Sequence, residues 1–436
     1  MSNILKTKTF KVLVSILALM IILVGIALFI NPYQGTVSWD TMKNSMPYTE
    51  ILSKEQALSE LKYLIDLIKD RHYSAITKLP APVRTQYEQE IKNISEKPDV
   101  LDLWRAGSRI LKQLEDAHSL MYYLSNDQKR LDIDWKLSGD VLTCQSGTHA
   151  GQTVTQMNGI LIKELYQRFL AQFSYENIYD AEARFPSYLK RSSTLNWLGV
   201  ECTDQVQITF NNNGVNEAEL YYFQEIATTN QPKFVRYELN QAKSAGIFTL
   251  DSCQLNKQYQ DTLRQFFIAV KRNHIRYIAI DLRKNGGGNS GVADEFLRYL
   301  PVDSYLNFGS KIRLKYWPMI NKVSPSKNQK YHDLLFDGKV YVITSKYTFS
   351  SATWFAVLLK DNGLAEVIGE PSGNKPSAYG DVLTFQMPYS KLSFSLTYKK
   401  FSRPNVAKDQ ESALFPDYPV DETEAIKAFY QIIEKK

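Results

Sequence analysis

"YIAIDLRKNGGGNSGVADEFL", residues 277–297, runs from an apolar segment through a charged step into consecutive glycines and then into a helical pattern. Gly286, Gly288 and Gly291 fall in the spacing G-x-G-x-x-G between a predicted strand and a predicted helix, the context of a dinucleotide-binding turn. That reading also requires a second strand ending in an acidic residue about 20 residues further on. Here the helical pattern stops at Pro301, and the chain beyond it reads "SYLNFGSK", with no Asp or Glu closing an apolar run. A phosphate loop fails as well, because no Gly-Lys-Ser/Thr follows. A helix N-terminus would use one or two such glycines for backbone freedom, but hardly three in a row. Glycines at a strand end also let a backbone N–H point unobstructed into a cleft, where it can stabilise an oxyanion, and this role fits the stretch better.

The flanking sequence alternates strand and helix. "GIFTL" is followed by the amphipathic "KQYQDTLRQFFIAVKRN", then by the glycine stretch and a helix to about Leu300. After an irregular segment come the buried-type strand "KVYVIT", a helix near "SATWFAVLLKD" and the strand "AEVIGE"; such alternation predicts an α/β core with a largely parallel sheet. "DVLTFQMPYSKLSFSLTYKKF" reads as a hairpin. Further upstream, "DQVQITFNNNGVNEAELYYF" reads as two strands around an Asn/Gly turn, in a β-rich module with at least one helix. Before it, "SKEQALSELKYLIDLIKDRH" opens with an S-x-x-Q capping box, and a second amphipathic segment runs from Asp99 to about Glu115.

Residues 12–30, "VLVSILALMIILVGIALFI", carry no ionisable side chain and reach roughly 28 Å as a helix, about the hydrocarbon thickness of a bilayer. Lys6, Lys8 and Lys11 precede the run, which predicts a cytoplasmic N-terminus and a body outside the membrane. "ALFINPYQG" is a poor cleavage site, which favours an anchor over a cleaved signal. The expected organisation is a stub and anchor at 1–31, a linker at 32–52, a helical unit at 53–135, a β-rich cap at 136–240 and a core at 241–436. The formal charge of +6 is spread along the chain without a basic block, so nucleic acid is not an expected partner. Cys144, Cys202 and Cys253 lack metal spacing and allow at most one disulfide, and the five histidines show no zinc-type pairing.

Two motifs together resemble the C-terminal processing (tail-specific) serine peptidases of family S41. "IDLRKNGGG" is similar to their D-L-R-x-N-x-G-G segment, and "TFSSATWFAVLLKDNGLAEVIGEPSGNKPS" to their nucleophile region. Ser350 lies 25 residues before Lys375, with Gly369-Glu370-Pro371 between them. The resemblance spans about residues 241–420 and implies a ClpP/crotonase-like core, peptide or protein substrates and no cofactor. It also implies Ser350 as nucleophile, Lys375 as its base and the backbone N–H groups of Gly287 and Ser351 as the oxyanion hole. A lysine can take the serine proton only when neutral, which burial among apolar groups such as Trp354 and Phe355 would favour.

The pattern is broken at two positions: Thr353 stands where the family has Glu, and Tyr379 where it has Gln. "LEDAHS" meanwhile resembles the D-x-H-T/S motif of the related tricorn-core branch, which makes His118 a second candidate base, with Asp116 expected as a surface carboxylate at a helix end. "GQTVTQMNGILIKEL" is similar to a stretch of PDZ domains, though no clear carboxylate-binding loop accompanies it, and the two readings of the β-rich segment are a PDZ-like module and a structural cap over the cleft. The expected function is a membrane-anchored, extracytoplasmic serine endopeptidase. The alternative is an inactive peptidase fold serving as a peptide-binding or scaffold module.

Overall fold

The structure, a computed structural model, describes residues 2–226 and 233–435. The apolar N-terminal run lies in one helix, Ser2–Ile30, of which Val12–Ile30 is long and apolar enough to cross a membrane.

At the centre of the C-terminal half is a six-stranded sheet. Its spatial order is Tyr418–Pro419, Ala365–Gly369, Lys339–Thr344, Tyr277–Asp281, Ala245–Leu250 and Val235–Asn240. All neighbours are parallel except the last pair, which is antiparallel. The strands are apolar on both faces because both faces are covered, as a parallel sheet requires. Phe248, Ile278, Ile280, Val340, Val342 and Val367 pack towards the helices Lys257–Arg272, Gly291–Leu297 and Ser351–Asp361. The alternate residues Ile247, Ala279, Tyr341, Ile343 and Ile368 meet Phe429 and Ile433 of the helix Ala425–Glu434 on the other side. The strand Val235–Asn240, which precedes the expected boundary at 240/241, is the edge of this sheet.

A second sheet contains the expected hairpin, Tyr379–Gln386 paired with Ser393–Ser402. The latter strand also pairs with Met121–Tyr122 and with Gly309–Leu314, which continues into Trp317–Asn321. The segment read from sequence as irregular therefore holds a hairpin, Gly309–Leu314 with Trp317–Asn321. Its second strand is exposed throughout and carries Pro318, so it lacks the in-out alternation by which strands are recognised. The pairing at Met121–Tyr122 joins the N-terminal helical segment to the C-terminal sheet and fixes the loop just before it, which holds Asp116 and His118.

The helix Lys54–Arg71 has the expected capping box, Ser53 with Gln56. It packs with Val100–Lys112 through Leu61, Leu64, Ile65, Leu103, Ile110 and Leu111 in a core that also takes in Leu383, Phe394 and Leu396 of the C-terminal hairpin. The β-rich segment forms a further sheet in the order Trp135–Ser138, Val141–Cys144, Thr153–Met157, Gln205–Asn212, Val215–Tyr222. The helices Ile162–Gln172, Ile178–Tyr188 and Ser192–Trp197 accompany it. All three cysteines are free thiols.

Candidate active site

Tyr277–Asp281 and Lys339–Thr344 are neighbouring parallel strands, with Asp281 opposite Ile343, so the loops leaving their carboxyl ends emerge side by side. The first is the glycine loop; the second carries Ser350 into the helix Ser351–Asp361. Asn285 ties the two together. Its carbonyl accepts the Phe349 N–H at 3.0 Å, and its amide donates to the Leu250 carbonyl at 2.9 Å. Nothing in the glycine reading singled Asn285 out, although it is the N of the D-L-R-x-N motif.

Ser350 occupies the N-cap position of its helix, where a serine ordinarily hydrogen-bonds a backbone N–H of the first turn. Here its side chain makes no capping bond. Instead its backbone sits at φ 54°, ψ −125°, a conformation that costs a non-glycine residue roughly 1–3 kcal/mol. The Asn374 side-chain oxygen accepts the Ser350 N–H at 2.9 Å and helps hold this strained turn. The hydroxyl is thereby turned towards His118, whose Nε2 lies 3.0 Å from Ser350 Oγ.

His118 comes from the loop between the helix Val100–Lys112 and the strand Met121–Tyr122. Its N–H donates to Asp116 Oδ1 at 2.9 Å, and its carbonyl accepts from Ser395 Oγ at 2.6 Å, so the backbone beneath the ring is pinned. The ring packs on Phe349, with 4.8 Å between centroids. Asp116 is not the surface carboxylate expected from its helix-end position: it is fully buried. Its Oδ2 accepts hydrogen bonds from Ser119 Oγ at 2.5 Å, Thr397 Oγ1 at 2.7 Å and His72 Nε2 at 3.2 Å. Burial alone would raise the pKa of this carboxyl, but His118 and His72 outweigh that and hold it well below the usual range. For His118 the order is the mirror image: burial lowers its pKa, and the neighbouring Asp116, with Glu176 and Asp180 behind it, overcomes this and raises it.

Glu176 is the site residue that the sequence did not announce. It lies just before the helix Ile178–Tyr188, whose capping residue Asn177 donates to the Ser372 and Ser412 carbonyls. Glu176 Oε2 accepts the Lys375 N–H at 3.0 Å, while Oε1 lies 4.0 Å from His118 Nδ1. Asp116 Oδ1 is 3.7 Å from the same nitrogen, so neither carboxylate hydrogen-bonds it at this spacing. His118 Nδ1 and Glu176 Oε1 are both buried without a hydrogen-bond partner among the described residues. Burial pushes Glu176 up to about 8 and Asp180 up to about 6. Asp116, His118 and Glu176 each offer a ligand atom within 4.8 Å of the others, which is the spacing of a metal cluster. The Asp116 oxygens, however, are already taken up by four protein donors, as suits a carboxylate that orients a histidine.

Lys375 lines the same cleft, a cavity of about 610 Å³ bordered also by Gly288, Ser351, Trp354 and Tyr379. It is half-buried, and its ammonium makes no hydrogen bond to Ser350 among the described residues. Its main chain carries its hydrogen bonds to Glu176 and Asn374. Of the two aromatics, Trp354 lines the cleft and stacks on Phe308, whereas Phe355 is buried in the core against Phe296. Thr353 is buried, its hydroxyl donating to the Thr348 carbonyl.

The glycine loop needs one correction. Gly287 does lie against Ser350, where an added Cβ would come within 2.6 Å of Ser350 Cβ. Its N–H, however, is directed to Asn285 Oδ1 at 2.9 Å and does not face the cleft as a free donor. Gly288 lines the cleft, and its N–H has no hydrogen-bond partner among the described residues. Its carbonyl accepts from Ser351 Oγ at 2.7 Å, which fixes the plane of the following peptide. Gly288 sits at φ 135°, and a Cβ there would meet the Cys253 carbonyl oxygen at 2.4 Å, so only glycine fits.

Residues 244–420 match the model of Peptidase family S41. No curated protein sequence matches the chain. Among solved structures, mature CPAF superposes with a TM-score of 0.66 at 12% identity, over 88% of this chain and 96% of that one. Mature CPAF complexed with lactacystin gives the same score and identity, over 88% and 97% of the two chains. The photosystem II D1 C-terminal processing protease is similar at a TM-score of 0.49 and 14% identity, over 88% and 98%. At 12% identity the likeness to mature CPAF speaks for the fold alone, a mixed α/β architecture over 88% of this chain. The matched region holds Ser350, Lys375 and the glycine loop; over it the chain is similar to Peptidase family S41, and the activity this supports is that of a serine peptidase.

Proposed function

We propose that this chain is a membrane-anchored endopeptidase whose body lies outside the cytoplasm, cleaving peptides or unfolded polypeptides through an acyl-enzyme. Ser350 is the nucleophile and His118 its general base. The observation that carries this reading is the 3.0 Å contact between His118 Nε2 and Ser350 Oγ, within reach for proton transfer. His118 takes the hydroxyl proton as Ser350 Oγ attacks the carbonyl carbon, then returns it to the departing amine. The buried Asp116 carboxylate stabilises the imidazolium formed in between, and Glu176 faces the same ring nitrogen. Lys375, the base implied by the family motif, acts instead as a cleft cation whose main chain carries Glu176. The oxyanion donors are the Ser351 N–H, in the first turn of its helix, and the Gly288 N–H in place of that of Gly287.

The sheet and helices of 241–436 are read as the ClpP/crotonase-like core, with 53–135 as a helical unit and 136–240 as a PDZ-like cap. For the cap, the supporting features are the strand Thr153–Met157, a turn with Asn158 at φ 44° and Gly159 at φ 78°, and the helix that follows. Residues 12–30 serve as the anchor, supported by a helix of spanning length and composition.

The test is labelling of the full chain with a fluorophosphonate probe, beside Ser350→Ala. Labelling that depends on Ser350 is expected; labelling of both proteins alike, or of neither between pH 6 and 10, removes the enzyme reading and favours the peptide-binding alternative.

A further inference from the structure

We propose that the hairpin Gly309–Leu314/Trp317–Asn321 is a second membrane contact, inserting its apolar face at the surface of an anionic phospholipid bilayer beside the N-terminal helix. The inference rests on the reading of that helix as an anchor.

Among the described residues, none of the hairpin lines the cleft. Its outer strand is exposed along its whole length, with Trp317 58% and Ile320 56% exposed and Tyr316 in the turn 66% exposed. Directly opposed residues of an antiparallel pair share a face. The register pairs Trp317 with Leu314 and Met319 with Ile312, so these four form one apolar face. Ile312 belongs to the buried core, and from there the face runs outwards to Trp317 at the tip. The uncovered part of this face is Trp317 and Met319, a pair of large apolar side chains that a soluble protein would bury against a partner.

The position of the strip names the partner. Leu314 and Trp317 border an apolar groove whose other wall is Ile22, Ile26, Phe29 and Ile30 of the N-terminal helix. Ile22 lies eight residues before the helix end, roughly 12 Å deeper along the axis. If those residues are in lipid, whatever packs on them lies at the edge of the hydrocarbon too. Tyr316 sits 6.5 Å from Phe29, ring to ring, and the Lys315 ammonium 4.8 Å from the same ring. Trp and Tyr are the residues that settle at a membrane interface, with lysines reaching back to the headgroups.

Charge points the same way. From Ser304 to His332 there is no Asp or Glu, but five lysines (Lys311, Lys315, Lys322, Lys327, Lys330), of which Lys315 and Lys330 are paired with Asp70 and Asp303. Lys311, Lys322 and Lys327 are exposed. Lys311 and Lys322 lie at the base of the hairpin, and exposed lysines beside an apolar strip are the composition that binds an anionic leaflet. Pro318 offers no N–H, which removes one unpaired donor from an edge strand that lipid could not satisfy.

The full chain is reconstituted into phosphatidylcholine/phosphatidylglycerol vesicles carrying brominated acyl chains, which quench tryptophans at the membrane. Trp317→Phe should lose most of the quenching seen in the parent, with peptidase labelling retained as the check on folding. Lys311→Glu/Lys322→Glu should reduce the quenching selectively in vesicles containing phosphatidylglycerol. Quenching unchanged by Trp317→Phe, in a chain that still resists alkaline carbonate extraction, overturns the hairpin contact and spares the anchor; cross-linking between copies through the hairpin would then name a second chain as the occupant. Extraction of the parent by carbonate overturns both.

Discussion

The two halves of the site come from parts of the chain that differ in how they declare themselves. Residues 244–420 match a family model and bring Ser350, Asn374 and the glycine loop. Asp116, His118 and Glu176 lie outside that region, on loops of a helical and a β-rich segment, and reach the serine only through tertiary packing. The first half is built on the ends of adjacent parallel strands, where local sequence dictates the geometry. The second depends on a two-residue strand pairing, Met121–Tyr122 with Ser393–Ser402, and on Asn177 reaching across to the Ser372 and Ser412 carbonyls. A nucleophile-type motif can therefore stand in one stretch of sequence while the side chain that meets its serine comes from another.

The strongest way to break this comparison is to remove one member from each half. Ser350→Ala and His118→Ala should each lower peptide hydrolysis by about 10⁴-fold or more, and the double variant should be scarcely worse than either, because residues acting as a unit are not additive. Single and double variants that multiply in kcat/KM would mean that the two do not work together. Gly288→Ala comes next. Its Cβ would strike the Cys253 carbonyl and displace the peptide proposed to donate to the oxyanion, and the expected loss is about 10²–10³-fold in kcat. Lys375→Met should cost about tenfold or less, mostly in KM, since its side chain has no hydrogen bond to Ser350.

The smallest effect concerns stability. Glu176 is raised from 4.5 to about 8, so the folded state holds a proton that the unfolded chain has lost at intermediate pH. Its contribution favours folding fully below about pH 4.5 and is lost as pH rises towards 8. Thermal unfolding followed from pH 5 to 9 should therefore show a decline in Tm across that window that is shallower in Glu176→Gln.

Much of the core was legible because its signals are local. The apolar runs at 277–281 and 339–344, the capping box at Ser53 and the matched spacing of Ser350 and Lys375 each belong to one segment. Gly287 and Gly288 could not be told apart by spacing, because the difference is made by the Asn285 side chain taking one N–H and leaving the other. Asp116 looked like a helix-end carboxylate since nothing near it in sequence reveals His72 and Thr397 closing over it. Glu176 had no motif at all; its environment is assembled from Lys375 and His118, some 199 and 58 residues away. The hairpin at 309–321 was hidden for the opposite reason, as an exposed strand has no buried face to imprint alternation on it.

The claim that the base comes from outside the family-matching region is tested most directly by the rate of fluorophosphonate labelling at Ser350 in the full chain, measured for His118→Ala and Lys375→Ala under identical conditions. Loss of labelling in the histidine variant, with the lysine variant within about tenfold of the parent, is the predicted result. Loss in the lysine variant with the histidine variant still reactive would contradict it and return the base to Lys375.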